Sequence, residues 1–130
     1  MKKSILTLSI VALTMGSNLM AHEIAEPITI LKKELISKVD VSSFCKAVIQ
    51  GDVVTVKRLI ALGEDVNQKS LGMTPVMYAA RYNKVEVLTV LLKNGADLKI
   101  KSNQGYSAKR YAELSNAEEA LGIIETALGS

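Results

Sequence analysis

One histidine and one cysteine are all that the chain offers to soft-metal or nucleophile chemistry. A zinc site takes three or four ligands, so His22 and Cys45 cannot form a His/Cys set. A disulfide within the chain is impossible with one Cys. A Ser-His-Asp triad would have to use His22, almost at one end. As a new N-terminus after cleavage, His22 could chelate copper through amine and imidazole. No second His completes such a site, so it reads as a terminal residue. Glu118 and Glu119 look like a carboxylate pair, but neighbours at i and i+1 diverge on a helix. Their place in the first turn of a helix suits the macrodipole instead. Lys57-Arg58 and Lys109-Arg110 are basic pairs beside acidic residues and read as solvated faces. Gly72 and Gly105 open no phosphate loop, because no GxxxxGK[ST] run exists. The residues therefore assign no catalytic group, no metal ligand and no cofactor. The expectation is a protein that is not an enzyme.

The elements that carry these residues repeat. Ser42–Asn67 reads SSFCKAVIQGDVVTVKRLIALGEDVN, Thr74–Lys99 reads TPVMYAARYNKVEVLTVLLKNGADLK, and Ser107–Gly129 reads SAKRYAELSNAEEALGIIETALG. Ala47, Ala79 and Ala112 fall in register at separations of 32 and 33. Gly63 and Gly95 lie 32 apart, each with an Asp two residues later. A fixed period of this size is the signature of a stacked repeat. Each unit reads as two short helices. Thr74-Pro75 supplies an N-cap and a proline at the first helical position. Val76, Ala79 and Ala80 give one apolar face, and Asn83 suits the turn that follows. Val85 to Leu92 forms the second helix, with Val87, Leu88, Leu91 and Leu92 inward and Lys93-Asn94-Gly95 ending it. Gly95 can take the left-handed conformation at no steric cost.

These stretches resemble the ankyrin repeat. Thr-Pro, the paired Ala, a Leu-rich second helix and the Gly-x-Asp ending all occur at that family's offsets, over roughly residues 40–129. Repeat one opens with Ser42-Ser43 instead of Thr-Pro. The family's His is Cys45, Met77 and Arg110 here, and repeat three carries Ala108 for Pro and Gly122 inside its second helix. The outer repeats thus look like caps, which need one polar outer face. The resemblance implies an all-α solenoid of about three helix-turn-helix units, at about 40–70, 71–102 and 103–129. It also implies a concave protein-binding surface of turn tips and first helices. Carried over position by position, that surface comprises Ile49 and Gln50 in repeat one. It continues with Ser70, Leu71, Met73, Arg81 and Tyr82 in repeat two, and Asn103, Gln104, Tyr106, Leu114 and Ser115 in repeat three. Leu71, Met73, Tyr82 and Tyr106 are apolar or aromatic at positions the family leaves exposed. Tyr, Met and Arg are enriched in interface cores, although packing against the neighbouring turn is the other reading.

Residues 27–39, PITILKKELISKV, place Ile28, Leu31, Leu35, Ile36 and Val39 on one helical face after a proline. This predicts an N-terminal capping helix within residues 22–39, with a free recognition segment as the alternative. Residues 1–21 read as a secretory signal peptide. Lys2-Lys3 precede an apolar run from Ile5 to Met15, then Gly16-Ser17-Asn18 and the small Ala21. The run is shorter than the ~20 residues that cross a bilayer. Leu19 stands where a small residue is commoner, and an uncleaved anchor is the alternative. Cleavage takes the basic count from 16 to 14 against 13 acids, lowering the net charge from +3 to +1. A nearly neutral chain has no general pull on nucleic acid or anionic lipid. With 4% aromatic residues and no Trp, it lacks a base-stacking platform. Cys45 reads as a buried small hydrophobe, with an intermolecular disulfide as the sharper alternative.

The expected product is a monomeric exported module, periplasmic or secreted. It is expected to bind another protein, and neither nucleic acid nor, after signal cleavage, membrane. Docking on or masking a co-exported enzyme or toxin is the sharper role. A stress-protective or scaffold protein of the envelope without one tight partner is the alternative.

Overall fold

In the computed structural model, residues 40–129 are described. The expected signal peptide, His22 and the capping helix within 22–39 lie outside them. Six helices follow one another: α1 Ser43–Gln50, α2 Val53–Ala61, α3 Pro75–Arg81, α4 Val85–Lys93, α5 Ala108–Leu114 and α6 Glu118–Ala127. The described residues contain no strand, only an isolated antiparallel bridge between Ser70 and Met73.

Short polar residues start these helices. The Ser42 hydroxyl accepts from Cys45 N–H at 3.2 Å to begin α1. Asp52 begins α2, accepting from Thr55 N–H at 3.1 Å and from the Thr55 hydroxyl at 2.6 Å. Those two bonds hold the exposed Asp52 carboxyl below its ordinary range. Ser107 begins α5 by accepting from Arg110 N–H at 3.2 Å. Each bond accepted from an N–H satisfies a donor that a helix N-terminus would otherwise leave open. Pro75 fills the first position of α3 as expected. Between the helices of each pair stands a residue with positive φ: Gly51 (71°), Asn83 (53°) and Asn116 (53°). Glycine and asparagine are the residues that take this conformation most cheaply.

The helices stack in two rows. α1, α3 and α5 pack in sequence, and α2, α4 and α6 pack behind them. The core runs along the seam: Val48, Val56, Met77, Leu88, Leu91 and Ile124 are fully buried, with Ala79, Ala80 and Ala112 between them. Burying one such Leu, Val, Ile or Met stabilises by about 1.5–3 kcal/mol. The middle helix differs from the reading of one apolar face. Every residue from Pro75 to Ala80 is buried, and only Arg81 is exposed. α3 has α1 on one side, α5 on the other and α4 behind it, so no face is left for water. Leu92, expected inward, is half-buried, whereas Val87, Leu88 and Leu91 are buried.

The thiol of Cys45 is fully buried. Burial pushes its pKa up, overriding the opposite effect of its Ser42 hydrogen bond, and nearby Glu64 adds to the rise. A protonated, enclosed thiol is a poor nucleophile, which matches the small-hydrophobe reading and opposes the disulfide one.

Candidate protein-binding surface

The candidate surface consists of the turn tips that lead into α3 and α5 and the exposed ends of the first-row helices. The first tip is a two-residue hairpin. Ser70 and Met73 exchange N–H···O bonds of 2.9 and 3.2 Å, and Leu71 and Gly72 between them have φ of 51° and 82°. Two successive positive φ values are the mark of a tight hairpin turn of the I′ kind. The second tip is one residue longer. Ser102 N–H donates to Tyr106 O at 2.8 Å, and Asn103-Gln104-Gly105 fill the loop. That added residue accounts for the change of repeat spacing from 32 to 33.

Two tyrosines that sequence reasoning did not single out anchor these tips. The Tyr78 hydroxyl donates to Ser70 O at 2.7 Å, and the Tyr111 hydroxyl to the Ser102 hydroxyl at 3.0 Å. The same Ser102 oxygen accepts from Tyr106 N–H at 3.1 Å. Each helix thus grips its own turn. The available signal was the register, since Tyr78 and Tyr111 stand 33 apart. Burial pushes the Tyr78 phenol pKa up, so its proton stays in this bond through neutral pH.

Further bonds run between repeats. Asn103 N–H donates to Gly72 O at 2.9 Å, joining one tip to the next. Gly72 takes its φ of 82° at no steric cost, and a Cβ there would lie 2.9 Å from the Asn103 amide nitrogen, so that side chain would have to shift. Ser42 N–H reaches the Ser70 hydroxyl at 2.8 Å. Asn67 spans the first two repeats: its amide donates to Gly95 O at 3.1 Å and accepts from Asp97 N–H at 2.8 Å. Asn83 Oδ1 accepts from Ala120 N–H at 3.1 Å, capping α6, whose own N-cap residue is Ala117.

The carried-over positions separate clearly. Gln50, Leu71, Arg81, Tyr82, Asn103, Gln104, Tyr106, Leu114 and Ser115 are exposed, while Ile49 and Ser70 are intermediate. Met73 is buried at 8% exposure and belongs to the core, which corrects the expectation that it is displayed. Its backbone closes the hairpin with Ser70, so its side chain enters the seam rather than the surface. Four large apolar residues do face water there: Leu71 (54%), Leu114 (53%), Tyr82 (43%) and Tyr106 (39%). Tyr106 rests edge-on against Tyr111, with ring centroids 5.7 Å apart. The Arg81 guanidinium lies over the Tyr82 ring at 5.6 Å. Both rings are thereby held while exposed, the condition under which an aromatic anchor loses little entropy on binding. Among the described residues no cluster of three or more His, Cys, Asp or Glu could hold a metal ion. No helix among them is long and apolar enough to cross a membrane.

The family model for ankyrin repeats, in three copies, matches residues 28–124. Among curated proteins, the 2-5A-dependent ribonuclease of Mus musculus is 42% identical over 60 residues, which are 45% of this chain and 8% of that protein. Ankyrin repeat and SOCS box protein 11 of Pongo abelii is 41% identical over 71 residues, 54% of this chain and 22% of that protein. The chain thus spans less than a quarter of the length of these relatives. Among solved structures, it resembles a chain in the complex of the predatory endopeptidase Bd0816 from Bdellovibrio bacteriovorus with the immunity protein Bd3460. There the TM-score is 0.62 at 31% identity, over 68% of this chain and 47% of that one.

Proposed function

Because the chain belongs to the ankyrin-repeat family, we propose that it is an exported protein-binding module that docks on and masks an enzyme exported with it. The site of action is the periplasm or the space outside the cell, as the signal-peptide pattern of residues 1–21 implies. The observation that carries the reading is the structural likeness to a chain of an endopeptidase–immunity protein complex. The exposed Leu71, Tyr82, Tyr106 and Leu114 support it, since aromatic anchors beside apolar neighbours are what interfaces use. An immunity role asks for binding alone, which agrees with a chain whose residues assign no catalytic group.

The test is co-purification from the native cell with a C-terminal tag, followed by turnover assays on the recovered enzyme. The wild-type protein is expected to recover one exported hydrolase and suppress its activity. The Tyr82→Ala/Tyr106→Ala variant is expected to bind ~30-fold or more weakly, the loss that truncating a buried anchor brings. Equal recovery by both proteins would show that the surface is elsewhere. Recovery of an enzyme whose turnover is unaffected would make the protein a scaffold rather than a mask.

A further inference from the structure

We propose that Leu71 is a plug: the first tip seats this side chain in an apolar recess of the masked enzyme's substrate cleft, an inference that rests on the masking role and names the chemistry of the site it covers. Leu71 stands in the turn of a two-residue hairpin and is 54% exposed. Of the two described tips it makes this one apolar, for Asn103, Gln104 and Gly105 fill the other. Local folding does not account for the choice. A φ of 51° is a backbone that Leu disfavours, and Asn or Gly would hold the same turn more easily.

The turn that presents Leu71 is ordered before anything binds. On one side of it Ser70 O accepts from Met73 N–H at 3.2 Å and from the Tyr78 hydroxyl at 2.7 Å. On the other side Gly72 O accepts from Asn103 N–H at 2.9 Å. Seating the side chain therefore costs little further backbone entropy, which is the advantage of a preorganised contact.

Charge does not choose the occupant. Lys69 and Lys101 are exposed, but so are Asp65 and Asp97, four residues before each, and the tips carry both signs. Shape and polarity are left to select. One branched apolar side chain stands between the polar side chains of Lys69 and Asn103, which meet at 3.3 Å. An anchor that fills a pocket inside a polar rim is the arrangement of a binding hot spot. Its complement is a recess lined by apolar side chains. Substrate clefts of enzymes are concave, lined mostly by such side chains and few per protein. A second copy of this chain offers a poorer seat. The groove between α2 and α4, over Ile60 and Val90, is bordered by the exposed Lys57 and Lys93. A tip seated there makes a head-to-tail contact, which builds open chains unless its rotation closes a ring.

The experiment is steady-state inhibition of the co-purified enzyme by the purified full chain and its variants, each first shown to be folded by circular dichroism. The wild-type protein is expected to raise the apparent KM and leave kcat unchanged, because plug and substrate exclude each other from one recess. Leu71→Asn, which suits the turn, is expected to raise the inhibition constant ~30-fold or more, the loss that removing a buried anchor brings. Leu71→Met keeps an apolar side chain of similar volume and is expected to change it by about tenfold at most. Gln104→Ala, exposed on the polar tip, is expected to change it less than about twofold. The proposal is overturned by inhibition that lowers kcat and leaves KM alone, or by a Leu71→Asn variant as strong as wild type. It is also overturned if the wild-type protein assembles with rising concentration in gel filtration and Leu71→Asn does not, since Leu71 would then sit on a second copy. In those cases an enzyme still inhibited by the wild-type protein leaves the masking role standing. If the wild-type protein recovers no enzyme that it inhibits, the masking role and the plug fall together.

Discussion

Leu71 combines two features that folding alone does not favour. Its φ of 51° lies in the left-handed region, and its side chain is 54% exposed. For an L-residue other than Gly, Asn or Asp that backbone costs about 1–2 kcal/mol. Asn or Gly would hold the same turn with less strain. A bulky apolar residue on a hairpin tip at such a cost is what the proposed contact role of Leu71 would explain. Leu71→Asn is therefore expected to raise the urea midpoint, corresponding to a gain of about 0.5–1 kcal/mol. It should at the same time weaken recovery of the partner. A variant less stable than wild type would show that Leu71 packs in a way its exposure does not reveal. Thr74 makes the contrast inside the fold. Its hydroxyl is buried without a hydrogen-bond partner, while its N–H donates to Met77 Sδ at 3.4 Å. Met77 stands where the family's pattern has His, and its thioether meets the Thr74 N–H but leaves the Thr74 hydroxyl unpaired.

At the scale of elements, stacking depends on polar links as well as on the apolar seam. Asn67 is the clearest of them, since one amide satisfies both a carbonyl and an N–H of the next repeat. The equivalent residue of the following repeat is Lys99, which has no amide to make the same link. Asn67→Ala removes two hydrogen bonds, each with a net worth of about 0.5–1.5 kcal/mol. The expected loss is about 1–2 kcal/mol, read as a lower thermal midpoint by circular dichroism. A shift no larger than that of an exposed control, such as Gln68→Ala, would mean that water replaces both bonds at no cost.

These links also mark what could be read from the chain alone. The period, the helix pairs and the caps at Pro75, Asn83 and Gly95 were legible, because they depend on residues within one unit. Nine of the twelve carried-over surface positions proved exposed, for they sit at fixed offsets from the repeat signature. Met73 could not be placed, because a turn residue is buried or displayed according to the hairpin closed around it. Nor could the grips of Tyr78 and Tyr111, the Asn67 bridge or the cap from Asn83 to α6. Each joins groups whose proximity exists only after the tips and helices have stacked.

The described residues form a short stack of repeats, and its length governs how that stack unfolds. About three units are the usual minimum for a repeat array. Each repeat leaves apolar surface that only its neighbour covers, so stability resides in interfaces as much as in units. α3 illustrates the dependence, having no exposed residue before Arg81 once α1 and α5 are in place. Loss of packing in the last repeat should therefore be felt by the first. Ile124 is fully buried in α6, which packs on α4, α5 and α3. Ile124→Ala is expected to cost about 2–5 kcal/mol, the range for a large-to-small change in a core. In a stack this short, that loss should move one cooperative urea transition to lower concentration without splitting it. The absence of Trp makes far-ultraviolet circular dichroism and tyrosine fluorescence the two suitable probes. Coincident, shifted transitions by both would establish the coupling. A first transition confined to repeat three, with repeats one and two unfolding at the wild-type midpoint, would show instead that the units are held together more weakly than they hold themselves.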